Sequence, residues 1–69
     1  MEKQEVLSNL GSKVRAIRIE KGYSQVELAN KIGKDHPSIN KLENGKVNPS
    51  FYFLFEVARG LEVDLKDFL

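Results

Sequence analysis

Between Gly33 and Lys46 the chain reads GKDHPSINKLENGK. This stretch supplies a ring nitrogen pair on His36, a hydroxyl on Ser38, an ammonium on Lys41 and carboxamides on Asn40 and Asn44. Such groups donate and accept hydrogen bonds, which is the chemistry of recognition. The chemistry of bond making lacks its parts. There is no cysteine nucleophile, His36 is the only histidine, and no glycine-rich phosphate loop occurs. An enzyme is therefore not expected, and a zinc site of cysteines and histidines is excluded. Wound at about 100° per residue, the stretch puts Ile39, Leu42 and the stem of Glu43 on one side. Pro37, Lys41 and Asn44 fall on the other, Ser38 and Asn40 at the flanks, and His36 at the N-terminal tip. A narrow polar face of little bulk suits the reading of base edges in a DNA groove.

The elements that must carry this face are helices, and glycines punctuate them. A first helix is predicted from about Glu5 to Lys21, with Leu7, Leu10, Val14 and Ile17 as its apolar stripe and Gly22 at its end. Ser24 and Glu27, three apart in SQVE, form a capping box that opens a short second helix closed by Gly33. Val26 or Leu28, with Ala29 and Ile32, give its buried side. Asp35 caps the third helix; Pro37 lies in the first turn, where an absent N–H costs nothing. A fourth helix is expected with Asn48 as cap, Pro49 at the first position and Gly60 at its end. Phe51, Leu54, Phe55, Val57, Ala58 and Leu61 are its expected core contributors. Asp64 caps a last turn or two reaching Leu69, with Leu65 and Phe68 facing inward. The second and third helices, joined by GKD, make a helix–turn–helix unit, in which the second helix enters the major groove.

With 69 residues, the chain holds one all-α domain at most, and its core is modest. Residues 1–8 are expected to form an N-terminal extension leading into the first helix, and residues 9–69 the domain. No apolar run approaches the roughly 20 residues of a membrane span, and the N-terminus lacks the apolar region of a signal peptide, so a cytoplasmic location is expected. Formal net charge is +1, but it is unevenly placed: residues 1–10 carry −1, residues 11–50 carry +4, and residues 51–69 carry −2. A basic middle between acidic ends favours a polyanionic partner on one face. No cofactor or small-molecule ligand is indicated.

The segment KVRAIRIEKGYSQVELANKIGKDHPSINKLENGKVNPS, continued by LFEVARGLEVDLKDFL, resembles the Cro/repressor (XRE-like, lambda-repressor-like) helix–turn–helix family. The resemblance covers the chain from about Leu10 to Leu69, and KGYSQVELA, ENGK and NPS are its most specific parts. It implies a compact five-helix fold and a small repressor-like regulator that binds double-stranded DNA, normally a palindromic operator, as a homodimer. It also implies roles. Gln25 touches a phosphate and braces the recognition helix; His36, Pro37, Ser38 and Lys41 face the bases; Asn44 and Lys46 meet the backbone again, with Ser24 and Asn40 also on the backbone side. Arg18 and Glu43 form an ion pair tying the first helix to the third.

Two departures stand out. The second base-facing position is usually polar and here is Pro37, which can touch only a thymine methyl group or a sugar. Tyr52 and Phe53 replace residues that the family often exposes and keeps polar; with Val63, Phe68 and Leu69 they are the expected dimer surface. The rival reading is a helical protein-interaction module, such as an antitoxin or adaptor, that keeps the fold and binds DNA weakly. Salt-dependent duplex binding separates the two.

Overall fold

The computed structural model describes residues 2–69. Its elements are α1 (Lys3–Glu20), α2 (Gln25–Lys31), α3 (His36–Glu43), α4 (Phe51–Leu61) and a C-terminal 3₁₀ turn (Leu65–Phe68). No strand occurs among the described residues. The five expected helices are thus four α-helices and one tighter turn. The reason is local. Only four residues separate the extended Asp64 from the end of the turn, and Asp67 N–H bonds back three residues to Asp64 O at 2.9 Å. That i→i+3 pattern is the 3₁₀ geometry used for short pieces. It suffices to plant Phe68 in the core at 2% exposure.

The core is one cluster: Val14 of α1, Leu28 and Ala29 of α2, Ile39 and Leu42 of α3, Val57, Ala58 and Leu61 of α4, and Phe68. The α3 helix packs against both α1 and α2, while α4 covers α2 and the 3₁₀ turn. Each helix thus buries one stripe and leaves another in water. Two glycines permit the closest approaches. Gly11 is buried mid-helix in α1, and a Cβ there would collide with the carbonyl oxygens of Leu42 and Glu43. Gly60, expected to end the fourth helix, instead lies inside α4; a Cβ on it would stand 2.5 Å from Cγ2 of Ile32. It packs α4 onto the end of α2, and Glu62 in the left-handed conformation (φ 60°) ends the helix.

Other boundaries shift as well. The α1 helix begins at Lys3, so most of the expected extension is already helical. Ser50, not Asn48, caps α4, because its hydroxyl accepts from Phe53 N–H at 3.0 Å and leaves Pro49 outside the helix. The phase of α4 also corrects two residues. Phe53 and Leu54 pack against the core, but Phe51 is 73% and Phe55 40% exposed. Phe51 shares the helical phase of Ala58 two turns away, yet at the first residue of α4 no neighbouring element covers it. In α2 Leu28 is buried beside Ala29, and Val26, the alternative to Leu28, is exposed.

Candidate nucleic-acid interface

The interface rests on two helices whose ends are defined by short-range bonds. Ser24 Oγ accepts from Glu27 N–H at 3.0 Å, and Glu27 Oε1 accepts from Ser24 N–H at 2.8 Å. These bonds favour the ionised carboxylate and hold Glu27 below the usual glutamate range, the backbone bond from Ser24 contributing most. At the other end Gly33 takes φ 71°, and Lys34 N–H reaches Ala29 O at 2.9 Å while Gly33 N–H reaches Asn30 O at 3.3 Å. That pair of bonds is a Schellman motif, and it reverses the chain into α3. The expected cap of α3 is in place: Asp35 Oδ1 accepts from Ser38 N–H at 2.9 Å and from Ser38 Oγ at 2.6 Å. The Ser38 hydroxyl and backbone bonds hold the Asp35 carboxyl below its ordinary range. Pro37 occupies the first turn without distorting it.

A second Schellman motif closes α3. Gly45 adopts φ 68°, and Lys46 N–H bonds Lys41 O at 2.9 Å. Gln4 reaches across from α1, its Nε2 donating to Gly45 O at 3.0 Å, so the loop that carries Lys46 is tied to the start of the chain. Sequence pattern gave no signal for this contact between residues 41 apart. The mid-helix Gly11 did carry a signal, since an isolated glycine within an apolar stripe marks a close approach.

A single chain of hydrogen bonds runs from the core to the outer face. Arg18 and Glu43 are both buried and pair in a fork: Nε to Oε2 at 2.6 Å and Nη2 to Oε1 at 2.9 Å. Arg18 Nη1 also donates to Tyr23 O at 2.7 Å. Its pKa is raised, chiefly by the bond to Glu43. Glu43 Oε1 accepts in turn from Gln25 Nε2 at 2.9 Å. Gln25 Oε1 then meets His36 Nε2 at 2.7 Å and Asn40 Nδ2 at 3.3 Å. Asn44 Nδ2 continues the row by donating to Asn40 O at 3.0 Å. The first three helices are therefore locked together through α3, by groups that all have partners, as buried charge requires.

His36, Pro37, Asn40, Lys41, Asn44 and Lys46 are exposed and share the outer side of α3 and its following loop. Ser38 is half-buried and its hydroxyl proton is given to Asp35. Ser24 is exposed but its oxygen serves the α2 cap; Gln25 is half-buried between Glu43 and His36. The surface set divides. Tyr52 is 67% and Leu69 79% exposed, while Phe53 and Val63 are half-buried against the core. Phe68, expected both to face inward and to belong to the dimer surface, lies in the core as the first expectation has it, and cannot meet a partner. In its place α4 exposes Phe51 and Phe55; the Tyr52 and Phe55 rings lie 6.2 Å apart, and the Arg59 guanidinium sits 5.9 Å from the Phe55 ring. No helix is long and apolar enough to cross a membrane, and no group of metal-ligating side chains occurs among the described residues.

Two short helices joined by a tight glycine turn, the second held with its polar side outward, define a helix–turn–helix domain. Residues 14–68 match the helix-turn-helix family model HTH_3, and this chain belongs to that family, of XRE type. It is similar to the HTH-type transcriptional regulator SinR of Bacillus subtilis, 38% identical over 61 residues that cover 87% of this chain and 55% of SinR. It is also similar to the antitoxin HipB of Escherichia coli, 30% identical over 58 residues covering 84% of this chain and 66% of HipB. This chain thus spans only about half to two thirds of those relatives. Among solved structures, the restriction–modification controller protein C.AhdI of Aeromonas hydrophila superposes over the whole of both chains with a TM-score of 0.95 at 26% identity.

Proposed function

We propose that this chain binds double-stranded DNA with sequence preference and acts as a repressor-like transcriptional regulator in the cytoplasm. One observation carries the reading above all: the Arg18–Glu43–Gln25 chain holds α3 at a set angle with His36, Asn40, Lys41 and Asn44 on its open side. Pre-ordered side chains lose little entropy on binding, which is what base reading needs. In this reading α3 lies in the major groove and α2 crosses the backbone. Lys41 donates to guanine O6 or N7, Pro37 touches a thymine methyl group, and His36 and Ser38 meet the bases at the start of the helix. Ser24, Gln25, Asn40, Asn44 and Lys46 address phosphates and sugars, which set register rather than sequence.

The protein acts as a homodimer, joined through the exposed aromatic side of α4: Phe51, Tyr52 and Phe55. Similarity to the controller protein C.AhdI and to SinR supports the regulatory role; similarity to the antitoxin HipB is what favours the rival, a protein-interaction module. Selection of bound sequences from a random duplex pool decides between them. A regulator enriches a palindrome whose half-sites lie about 34 Å apart, one helical turn. A pool that stays random after repeated rounds refutes sequence-specific binding.

A further inference from the structure

The bonds that brace α3 also decide which hydrogen-bonding groups it can offer. Arg18 has only donors, and its fork meets both oxygens of the Glu43 carboxylate, so both accept. Gln25 touches Glu43 at 2.9 Å, so the amide must present its NH2 there and turn its carbonyl oxygen outward. The Asn40 Nδ2 contact to the same oxygen agrees with that orientation. A carbonyl oxygen cannot donate. His36 Nε2, 2.7 Å from it, must therefore carry the hydrogen. In the neutral ring the other nitrogen, Nδ1, is then left with a lone pair. Among the described residues no hydrogen bond reaches Nδ1, and His36 is exposed.

A separate observation gives the same sign at the neighbouring turn. Ser38 Oγ lies 2.6 Å from the Asp35 carboxylate, which can only accept, so the serine proton is committed and its oxygen offers lone pairs alone. The first turn of α3 thus shows acceptors outward, whereas Lys41, one turn further on, shows donors.

We propose that Gln25, oriented by Glu43, locks His36 with its hydrogen on Nε2 and so sets the first recognition position to read an exocyclic amino group, adenine N6 or cytosine N4. This rests on the DNA-binding reading above and adds the class of base to it. In the major groove only those two bases present a donor; guanine and thymine present acceptors there, which an acceptor on His36 disfavours. Gln25 is then a positioning residue: it acts on the base through the tautomer and rotamer of His36. Lys41 serves the opposite edge, so one half-site should join an amino-bearing base at the His36 position to a guanine at the Lys41 position.

Two measurements test this on the full chain. Nitrogen-15 NMR of the labelled protein in alkaline buffer reads the His36 tautomer without DNA, and the hydrogen should be on Nε2. A hydrogen on Nδ1 overturns the proposal whatever the protein binds. Duplexes carrying each of the four pairs at the His36 position of the selected site should then rank adenine or cytosine above guanine or thymine by about tenfold. In Gln25→Ala the ring loses its lock, and that preference should shrink to within about threefold while the guanine preference at Lys41 persists. A circular-dichroism melt shows that the variant folds. A guanine preference at the His36 position, or a preference that Gln25→Ala leaves untouched, contradicts the proposal. Loss of all duplex binding by the parent, with the hydrogen found on Nε2, would instead sink the DNA-binding reading and the base assignment with it.

Discussion

At the scale of single residues, the outer face of α3 separates reading from holding. Lys41 is exposed and forms no hydrogen bond through its ammonium among the described residues, so its donors are available to guanine O6 and N7. Lys41→Ala should cost about 1–3 kcal/mol at one base pair and relax the preference there, read by competition binding against the four variants of that pair. An equal loss on specific and random duplexes would make Lys41 a phosphate contact. Arg18 and Glu43 could be paired from the sequence only through family resemblance, since residues 25 apart leave no local pattern. The bonds of Gln25 to both Glu43 and His36 were likewise beyond sequence reading, because they depend on where three helices meet. The caps were different. Ser24 with Glu27, and Asp35 ahead of Pro37, act within one turn, so spacing alone reveals them.

At the scale of elements, one buried ion pair joins α1 to α3 and, through Gln25, to α2. Side-chain exposure of 9% for Arg18 and 1% for Glu43 means that removing one partner strands a charge in the core. Glu43→Ala should lose about 3–5 kcal/mol in chemical denaturation, a large share of the stability of so small a domain. Replacing both partners with apolar residues should restore most of that stability but not the base preference at the His36 position, because Gln25 then has nothing to orient it. A small effect of Glu43→Ala would show that α3 is held by packing alone. The fourth helix shows where apolar patterning fails. FYFLF offers five apolar residues in succession, so periodicity cannot choose a face. The choice is made by Gly60 against Ile32 and by Val57, Ala58 and Leu61, which turn Phe53 and Leu54 inward and leave Phe51, Tyr52 and Phe55 outside. At the last element the pattern points Phe68 inward, and that holds; its second expected place, on the dimer surface, fails because a core this small needs the ring.

At the scale of the whole molecule, the faces divide by charge. The segment from residue 11 to 50 carries +4 and includes the interface, whereas residues 51–69 carry −2 and include the exposed aromatics of α4. A partner on α4 would therefore leave the basic side open to phosphate. Tyr52→Glu should yield a folded chain that sediments as a monomer at concentrations where the parent self-associates, and that binds paired half-sites without cooperativity. Tyr52 is the position to change, because Phe53 packs against the core and a charge there would unfold the domain. Parent and variant sedimenting alike, with operator binding unchanged, would move the interface elsewhere; the apolar groove between α1 and the chain end, lined by Val6, Leu10, Leu54, Phe68 and Leu69, is the next surface to examine.

In the proposed function α3 and its flanks bind DNA through phosphates and bases together. The salt dependence of affinity for a selected duplex tests it most directly. A dimer that neutralises about four to six phosphates gives a slope of log affinity against log salt of about −4 to −5. Lys46→Ala should flatten that slope and weaken specific and random duplexes alike. The same slope with a clear gap in affinity between selected and random duplexes is the predicted result. A slope near zero, or no gap at any salt concentration, would contradict it.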